Sequence, residues 1–362
     1  MQSPLFDATR KAGAVYPPNG TFSFHFGDAE REYRQALDGA GLFDCSNRGK
    51  LEAVGPEAPR FLHNLCTNEI EKLPLGGGCE AYFCDLRAKV QAHALIYHVL
   101  LADKRHAFWL DVTPGYNEKL FKHLDRHLIA EQVELSDQTE QFAQMHLAGP
   151  KAKEILESAL GDRLPDLGEF QHMERTFGIN ATCHIRRNDP LGMPGYDLVC
   201  TNGLAEGVWN MLLASGAKPA GSQCYEVLRI EAGTPVYGID IDENRFVMEV
   251  PRALRAVCYT KGCFLGQEPI VMSRDRAGHV NRAFLAVKIR EGGPLAAGTK
   301  LYRDGNEVGL VTSSATSPRL GAPLALGYIR RGHQEPGTCL EAETPTGRRA
   351  VEVLPFPPMA KA

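Results

Sequence analysis

The sequence predicts an α+β fold, in which a body of mixed helices and strands is followed by a small β-barrel. Over residues 1–282, helical and strand patterns follow one another without the regular alternation that a doubly wound parallel sheet needs. From Ala283 onward, short strand-like runs are separated by glycine and proline turns, which is typical of a small barrel or sandwich. The predicted domains are therefore 1–282 and 283–362.

The individual elements follow from caps, breakers and apolar periodicity. Asp28 and Ser222 are capping residues ahead of helical patterns, and Gly233 ends the second of these patterns. Short apolar runs rich in β-branched residues indicate the strands. The predicted helices cover 28–37, 56–65, 116–129, 150–160, 204–214 and 222–233. The predicted strands of the body cover 50–54, 81–84, 90–101, 107–112, 133–135, 141–147, 181–186 and 196–200. Those of the barrel cover 284–289, 300–302, 308–313, 325–329 and 339–342.

Composition indicates a globular protein and excludes some partners. The chain has 362 residues, of which 43% are hydrophobic and 23% are charged. Its formal charge of −4 argues against a general affinity for nucleic acid or for an anionic membrane. The N-terminus has no signal-like segment, and no apolar run is long enough to span a bilayer. We therefore expect a cytoplasmic protein whose ten scattered cysteines are free thiols.

One histidine pair has the spacing of a metal site. His123 and His127 lie four residues apart on a predicted helix, as zinc ligands often do. The segment between them lacks the glutamate of a metalloprotease, and no third ligand accompanies them. The pattern therefore favours a solvated helix face, and we expect no metal.

The run KGCFLGQE at residues 261–268 is the most distinctive stretch of the chain. It places Cys263 close to the ammonium group of Lys261 and just before a predicted helix start. A nearby cation and a helix N-terminus both lower the pKa of a thiol, and the thiolate is the reactive form. We therefore predict that Cys263, assisted by Lys261, is a catalytic nucleophile. The alternative is a glycine-rich turn that holds a small apolar cysteine.

Two other segments place polar side chains beside glycine and proline turns. Arg229, near the end of a predicted helix, either pairs locally with Glu226 or holds a carboxylate or a flat heteroaromatic ring. A glycine- and proline-rich loop at 189–195 leads to Tyr196 and Asp197. Asp197 is either solvated at a turn or accepts hydrogen bonds from the N–H edge of a pterin-like ring, with Tyr196 as a neighbouring aromatic. The residues alone leave these alternatives open.

Several further segments accompany the KGCFLGQE run in a fixed order: LFD at 42–44, RGK at 48–50, GYD at 195–197, RIEAG at 229–233, GHVNR at 278–282 and VGLVTSS at 308–314. Together they resemble the YgfZ/GcvT family of folate-binding proteins, and the chain is most similar to its YgfZ-type branch. The likeness covers nearly the whole chain, and the KGCFLGQE run is its most specific part.

The resemblance implies a fold, a cofactor and a function. The fold is a GcvT-like folate-binding body of mixed sheets and helices around a central pocket, with a C-terminal β-barrel. The cofactor is tetrahydrofolate or a one-carbon derivative, contacted by Arg229, Asp197, Tyr196 and Glu249. YgfZ-type relatives assist assembly or repair of iron–sulfur clusters in client enzymes, including enzymes that modify tRNA, and depend on the cysteine that is Cys263 here. We expect this function, with tetrahydrofolate and client enzymes as partners.

The aminomethyltransferase branch of the family supplies the alternative function. Its members move a one-carbon unit from a lipoyl-bound aminomethyl group to tetrahydrofolate, with an aspartate placed after the strand predicted at 107–112. At the corresponding position this chain has Glu118 or Lys119. A carboxylate that positions the substrate amine is needed for this chemistry. We therefore place the transferase second, and a scaffold without catalytic activity third.

Overall fold

A computed structural model describes residues 2–178 and 181–359, and the chain divides into two compact units. The first, here called the sheet unit, contains the residues up to Phe83 together with Ala92–Tyr225. The second, here called the barrel unit, contains Cys84–Gln91 and the residues from Glu226 onward. This division does not coincide with the domain boundary expected between residues 282 and 283, which stays a prediction.

The helices begin and end at residues with clear local roles. Asp28 caps a helix by accepting hydrogen bonds from the N–H groups of Glu30 and Arg31. Gly233 has a φ of 70°, and a Cβ there would lie 2.7 Å from the ring of Phe356, so only glycine fits after the helix that ends at Glu231. The helices are α1 (Phe6–Lys11), α2 (Ala29–Asp38), α3 (Ala58–Leu65), α4 (Asn117–Asp125), α5 (Ala152–Leu160), α6 (Asn202–Ala214), α7 (Ser222–Glu231), α8 (Ala253–Ala256) and α9 (Gln267–Met272).

Two sheets precede the C-terminal barrel. Their strands are β1 (Gly41–Asp44), β2 (Gly49–Val54), β3 (Gly78–Cys84), β4 (Val90–Leu100), β5 (His106–Val112), β6 (Glu134–Asp137), β7 (Phe142–Ala148), β8 (His172–Phe177), β9 (Ala181–Arg187), β10 (Gly195–Thr201) and β11 (Lys218–Pro219). One sheet has six strands in the order β11-β1-β7-β10-β9-β8. The other has five strands in the order β3-β4-β5-β2-β6.

Both faces of the six-stranded sheet are covered within the sheet unit. On one face, Leu147 and Leu198 share a hydrophobic core with Leu156 of α5 and Trp209 of α6. On the other face, Val199 belongs to a core with residues of the five-stranded sheet, including Tyr97 and Trp109. Successive residues of a strand point to opposite faces of the sheet. The polar residues that alternate along the strands with residues of the first core therefore lie between the two sheets.

The barrel is closed, in the order β12-β15-β14-β13-β16-β17. Val287, Val311, Ile329 and Val351 lie in its core. Its strands are β12 (Arg282–Ile289), β13 (Lys300–Arg303), β14 (Asn306–Ser317), β15 (Ala322–Arg330), β16 (Cys339–Thr344) and β17 (Gly347–Val353). The predicted fold class, α+β with a small C-terminal barrel, is confirmed.

Some local predictions were wrong. The helix predicted over 116–129 ends at Asp125, and its His123 is buried rather than solvated. The short strand β1 and the edge strand β8 carry too few apolar residues in series to be recognised from sequence. Within residues 2–178 and 181–359, no group of three or more potential ligand side chains is arranged for a metal ion. The helices described over the same residues are all too short or too polar to cross a bilayer.

Candidate functional site

The register of the six-stranded sheet places a row of aromatic and polar side chains across four strands. Phe43 of β1 is paired with His146 of β7, His146 with Asp197 of β10, and Asp197 with Arg186 of β9. Residues paired in this way project from the same face of a sheet. This face is the one enclosed between the two sheets, and all four residues are buried.

His146 and Asp197 form a hydrogen-bonded dyad. Nδ1 of His146 lies 2.8 Å from Oδ1 of Asp197, and Nδ2 of Asn188 donates to Oδ2 at 2.7 Å. Burial alone would raise the pKa of Asp197, but the bonds from His146 and Asn188 and the charge of Arg48 hold it below its ordinary value. Asp197 is therefore an acceptor, so Nδ1 of His146 carries a proton. In the neutral ring, Nε2 then holds a free lone pair.

A glycine makes room for this dyad. A Cβ built on Gly195 would lie 2.4 Å from the carbonyl oxygen of Asn188 and 2.9 Å from Cε1 of His146. Any larger residue would push the imidazole or the backbone away. The glycine of the GYD segment is therefore explained by the close approach of His146.

A second group of charges lies around Asp111 of β5. Its Oδ1 accepts from Nε of Arg48 at 2.5 Å, and its Oδ2 accepts from Nε2 of Gln144 at 2.9 Å. Arg186 Nη1 lies 3.8 Å from the same Oδ2. The guanidinium of Arg186 also lies over the rings of Tyr97 and Trp109, at 4.3 and 5.3 Å from their centroids. Such stacking holds the guanidinium flat between the two sheets.

Four buried polar atoms of this region have no hydrogen-bond partner among the described residues. They are Tyr97 Oη, Gln144 Oε1, His146 Nε2 and Arg186 Nε. Buried polar groups are nearly always paired with protein, water or ligand, because an unpaired one is energetically costly. Donors and acceptors that lie among buried aromatic rings suit the polar edge of a flat heteroaromatic molecule. We call these atoms, the His146–Asp197 dyad and Asp111 the polar centre.

Burial next to the polar centre shifts the pKa of a nearby basic group and of a nearby thiol. Burial lowers the pKa of Lys50 to about 8, against the opposing attraction of Asp111. Its ammonium group donates to the carbonyl oxygens of Ser46 and Arg48 at 3.3 and 2.8 Å. Burial raises the pKa of Cys45 strongly, so this cysteine remains a thiol.

The two residues predicted from the GYD segment are separated by the sheet. Asp197 lies in the polar centre. Tyr196 points to the opposite face, into the core shared with α5 and α6, and its hydroxyl accepts from Nη1 of Arg187 at 3.2 Å. The structure therefore does not bring Tyr196 together with Asp197.

Arg229 lies in the barrel unit with every donor in use. Nε and Nη2 donate to the two carboxylate oxygens of Glu226, the local pairing that the sequence offered as one alternative. Nη1 donates to Asp240 at 2.6 Å and to the carbonyl oxygen of Thr234 at 3.3 Å, and Nη2 also donates to Ser313 at 2.7 Å. Because all five N–H groups have partners, no donor is left for a ligand in this arrangement.

The remaining predicted residues also belong to the barrel unit. Cys263 is exposed. Lys261 is buried, with its ammonium group 4.9 Å from the ring centroid of Phe264. Glu249 is buried in a short 3₁₀ turn and accepts from Nε of Arg282 at 3.3 Å, at the wall of a cavity of about 770 Å³.

Most of the polar centre escaped sequence-based reasoning. His146, Arg186, Tyr97 and Asp111 each lie within or next to a predicted strand, but no local motif distinguishes them. The available signal was a polar residue within a strand that is otherwise apolar, as at His146 in FAQMHLA. That signal identifies an unusual residue without identifying its neighbours.

Fold and site together define a two-part protein: a mixed α+β body with an enclosed polar centre, and a closed barrel. The chain matches the GCVT N-terminal domain over residues 7–254. It matches the glycine cleavage T-protein C-terminal barrel domain over residues 282–359. It therefore belongs to the glycine cleavage T-protein family.

Its relatives match over almost their whole length. The chain is 27% identical over 357 residues to an aminomethyltransferase of Rubrobacter xylanophilus, covering 98% of this chain and 94% of the relative. It is 30% identical over 363 residues to a probable aminomethyltransferase of Natronomonas pharaonis, covering 98% of each. The structure of the glycine cleavage system aminomethyltransferase T from Bartonella henselae shares its fold, with a TM-score of 0.88, 24% identity, and coverage of 99% of this chain and 97% of the other.

These comparisons correct the expected function. The prediction that the chain assists assembly or repair of iron–sulfur clusters is wrong, because the full-length relatives are named aminomethyltransferases. The expected client enzymes and tRNA processing find no support. The catalytic roles assigned to Cys263 and Lys261 stay predictions. Membership of the folate-binding family is confirmed. At the level of that family, the alternative of a one-carbon transferase and its cofactor, tetrahydrofolate, are confirmed as well.

Proposed function

We propose that this chain is an aminomethyltransferase that transfers a one-carbon unit from a carrier-bound aminomethyl group to tetrahydrofolate. The observation that carries the proposal is the match along the whole chain, body and barrel together, to proteins named aminomethyltransferases. A relative that shared only the body or only the barrel would support a common fold without a common activity.

We infer that the polar centre contacts the pterin ring of tetrahydrofolate. Tyr97 Oη and Arg186 Nε can donate, while Gln144 Oε1 and the lone pair of His146 Nε2 can accept. Trp109 and Tyr97 supply aromatic faces beside them. When bound, tetrahydrofolate supplies the amine nitrogens that accept the one-carbon unit. Within this proposal, Tyr97, Gln144 and Arg186 hold the ring and exclude water.

His146 is the proposed proton carrier. With Nδ1 held by the ionised Asp197, Nε2 can take up a proton during the transfer and release it afterwards. Asp197 acts as a positioning residue, because it fixes the tautomer and the orientation of the ring, as acidic partners of catalytic histidines do.

A buried carboxylate is available for the donor amine. Glu118, one of the two residues at the expected aspartate position, is exposed and pairs with Lys122 on the surface of α4. Asp111, at the end of the preceding strand, is buried in the polar centre instead. We propose that Asp111, whose oxygens are held by Arg48 and Gln144, provides the carboxylate near the reacting amine.

Two tyrosine variants test whether the polar centre binds the cofactor. Tyr97→Phe removes a hydroxyl that has no partner among the described residues, so folding stability should be unchanged. Loss of its bond to the ring should weaken tetrahydrofolate binding by roughly three- to tenfold in isothermal titration calorimetry. Tyr196→Phe is the matched control and should bind like the wild type, because its hydroxyl lies on the other face. Weaker binding by Tyr196→Phe alone would contradict the proposed site.

A further inference from the structure

The barrel unit contains a large cavity whose charges are unbalanced. The cavity has a volume of about 770 Å³. Lys89, Arg282, Arg330 and Arg331 line it, and Glu249 is the one carboxylate among its lining residues. Volumes in this range are typical of small-molecule sites.

Two of the arginines lie opposite each other on paired strands of the barrel. Arg282 at the start of β12 and Arg330 at the end of β15 are direct cross-strand partners. Arg331 continues the pairing, since its N–H donates to the carbonyl oxygen of Asn281 at 2.9 Å. Like charges in directly opposed positions destabilise a sheet. An anion bound between them would remove this repulsion.

Only one of the four cations is paired with a carboxylate among the described residues. Arg282 makes a single contact of 3.3 Å with Glu249. Lys89 donates to an uncharged acceptor, the carbonyl oxygen of Asn244, at 2.8 Å. Over the described part of the chain, Lys89, Arg330 and Arg331 form no ion pair. Arg330 and Arg331 are exposed, so a ligand can reach both guanidinium groups.

We propose that this cavity is a binding site for a small organic anion that carries at least two carboxylate or phosphate groups. Arginine forks bind both groups with paired hydrogen bonds. Phe246 and Val280 line the same cavity, so apolar links between the charged groups are accommodated. Two kinds of ligand share this chemistry. One is an oligocarboxylate such as the γ-linked glutamyl chain of a folate, and this assignment rests on the proposed function. The other is a separate phosphate-bearing metabolite.

Calorimetric titration of the full chain with tri-γ-glutamate and, separately, with pyrophosphate tests the site. One of the two should bind saturably with a dissociation constant below about 1 mM, and the affinity should fall as salt rises. The double variant Arg330→Gln/Arg331→Gln should weaken this binding roughly tenfold or more. The control Arg290→Gln/Arg303→Gln removes two exposed charges from the same barrel but outside the cavity, and should change the affinity less than about twofold.

The outcomes distinguish the two kinds of ligand from each other, and the cavity site from the proposed function. Tighter binding of tri-γ-glutamate indicates the oligocarboxylate, and tighter binding of pyrophosphate indicates the phosphate ligand. If both double variants weaken anion binding equally, the anion is attracted by net charge alone and the proposed site is overturned. The proposed site is also overturned if neither probe binds saturably. The titration contains neither tetrahydrofolate nor an aminomethyl donor. Its result is therefore independent of whether the protein catalyses aminomethyl transfer. Lost anion binding with intact transfer overturns the cavity site alone.

Discussion

Replacing His146 by glutamine should lower kcat for aminomethyl transfer by about 10²- to 10⁴-fold, with a small change in KM. Glutamine preserves much of the volume and can still bond Asp197, but it cannot take up a proton at the position of Nε2. Asp197→Asn should also lower kcat, since an amide no longer enforces the productive tautomer. Steady-state rates of methylene-tetrahydrofolate formation provide the measurement.

The control for this prediction is His127→Gln, in the turn that follows α4. Nδ1 of His127 bonds the carbonyl oxygen of His123 within the same segment, so the variant should retain wild-type kcat. If His146→Gln binds tetrahydrofolate normally and turns over at the wild-type rate, His146 is not the proton carrier. A rise in KM with unchanged kcat would assign His146 to binding alone.

Replacing Arg229 by methionine should destabilise the protein by about 3–5 kcal/mol, because it leaves the buried carboxylate of Asp240 without its cation. Asp240 is 1% exposed and also accepts hydrogen bonds from Thr312 and Ser313 of β14. Its carboxylate therefore depends on the whole network for its hydrogen bonds. Urea denaturation followed by circular dichroism measures the loss in unfolding free energy.

A matched variant separates this effect from general loss of surface charge. Arg348→Met breaks an exposed ion pair with Glu341 on the same barrel and should cost less than about 1 kcal/mol. The double variant Arg229→Met/Asp240→Asn should be destabilised by less than the sum of the two single variants, because the residues interact directly. If Arg229→Met instead unfolds like the wild type and fails to bind tetrahydrofolate, Arg229 is a ligand residue, as the sequence suggested.

Local signals predicted much of the fold. The cap at Asp28, the glycine stop at Gly233 and the short runs after Ala283 are each encoded within a few residues. Such signals depend on backbone hydrogen bonding and side-chain periodicity. Both are determined by residues that are close together in the sequence. The short strand β1 was missed because four residues are too few to show a period.

The site could be predicted only in part. Alternation within a strand already implies that Tyr196 and Asp197 face opposite sides. Because both faces of this sheet are buried, alternation does not tell which side meets a ligand. The row from Phe43 to Arg186 depends on register between strands that are distant in sequence, and no local pattern encodes that register. The sequence therefore singled out Asp197 as a candidate, but not His146 or Arg186.

The prediction for Arg229 shows a related difficulty. Its segment offered either a local pair or a ligand contact, and the local pair with Glu226 is present. The contacts with Asp240 and Ser313 come from distant segments, and they use the donors that a ligand would need. A buried arginine is equally typical of a structural network and of a binding site until its partners are counted.

The most direct test of the proposed function is a turnover assay with purified protein, tetrahydrofolate and a carrier protein that bears a lipoyl-bound aminomethyl group. The account predicts repeated formation of methylene-tetrahydrofolate with release of ammonia, and no reaction when either substrate is omitted. Folded protein that binds tetrahydrofolate but releases no ammonia and forms no methylene-tetrahydrofolate would contradict it.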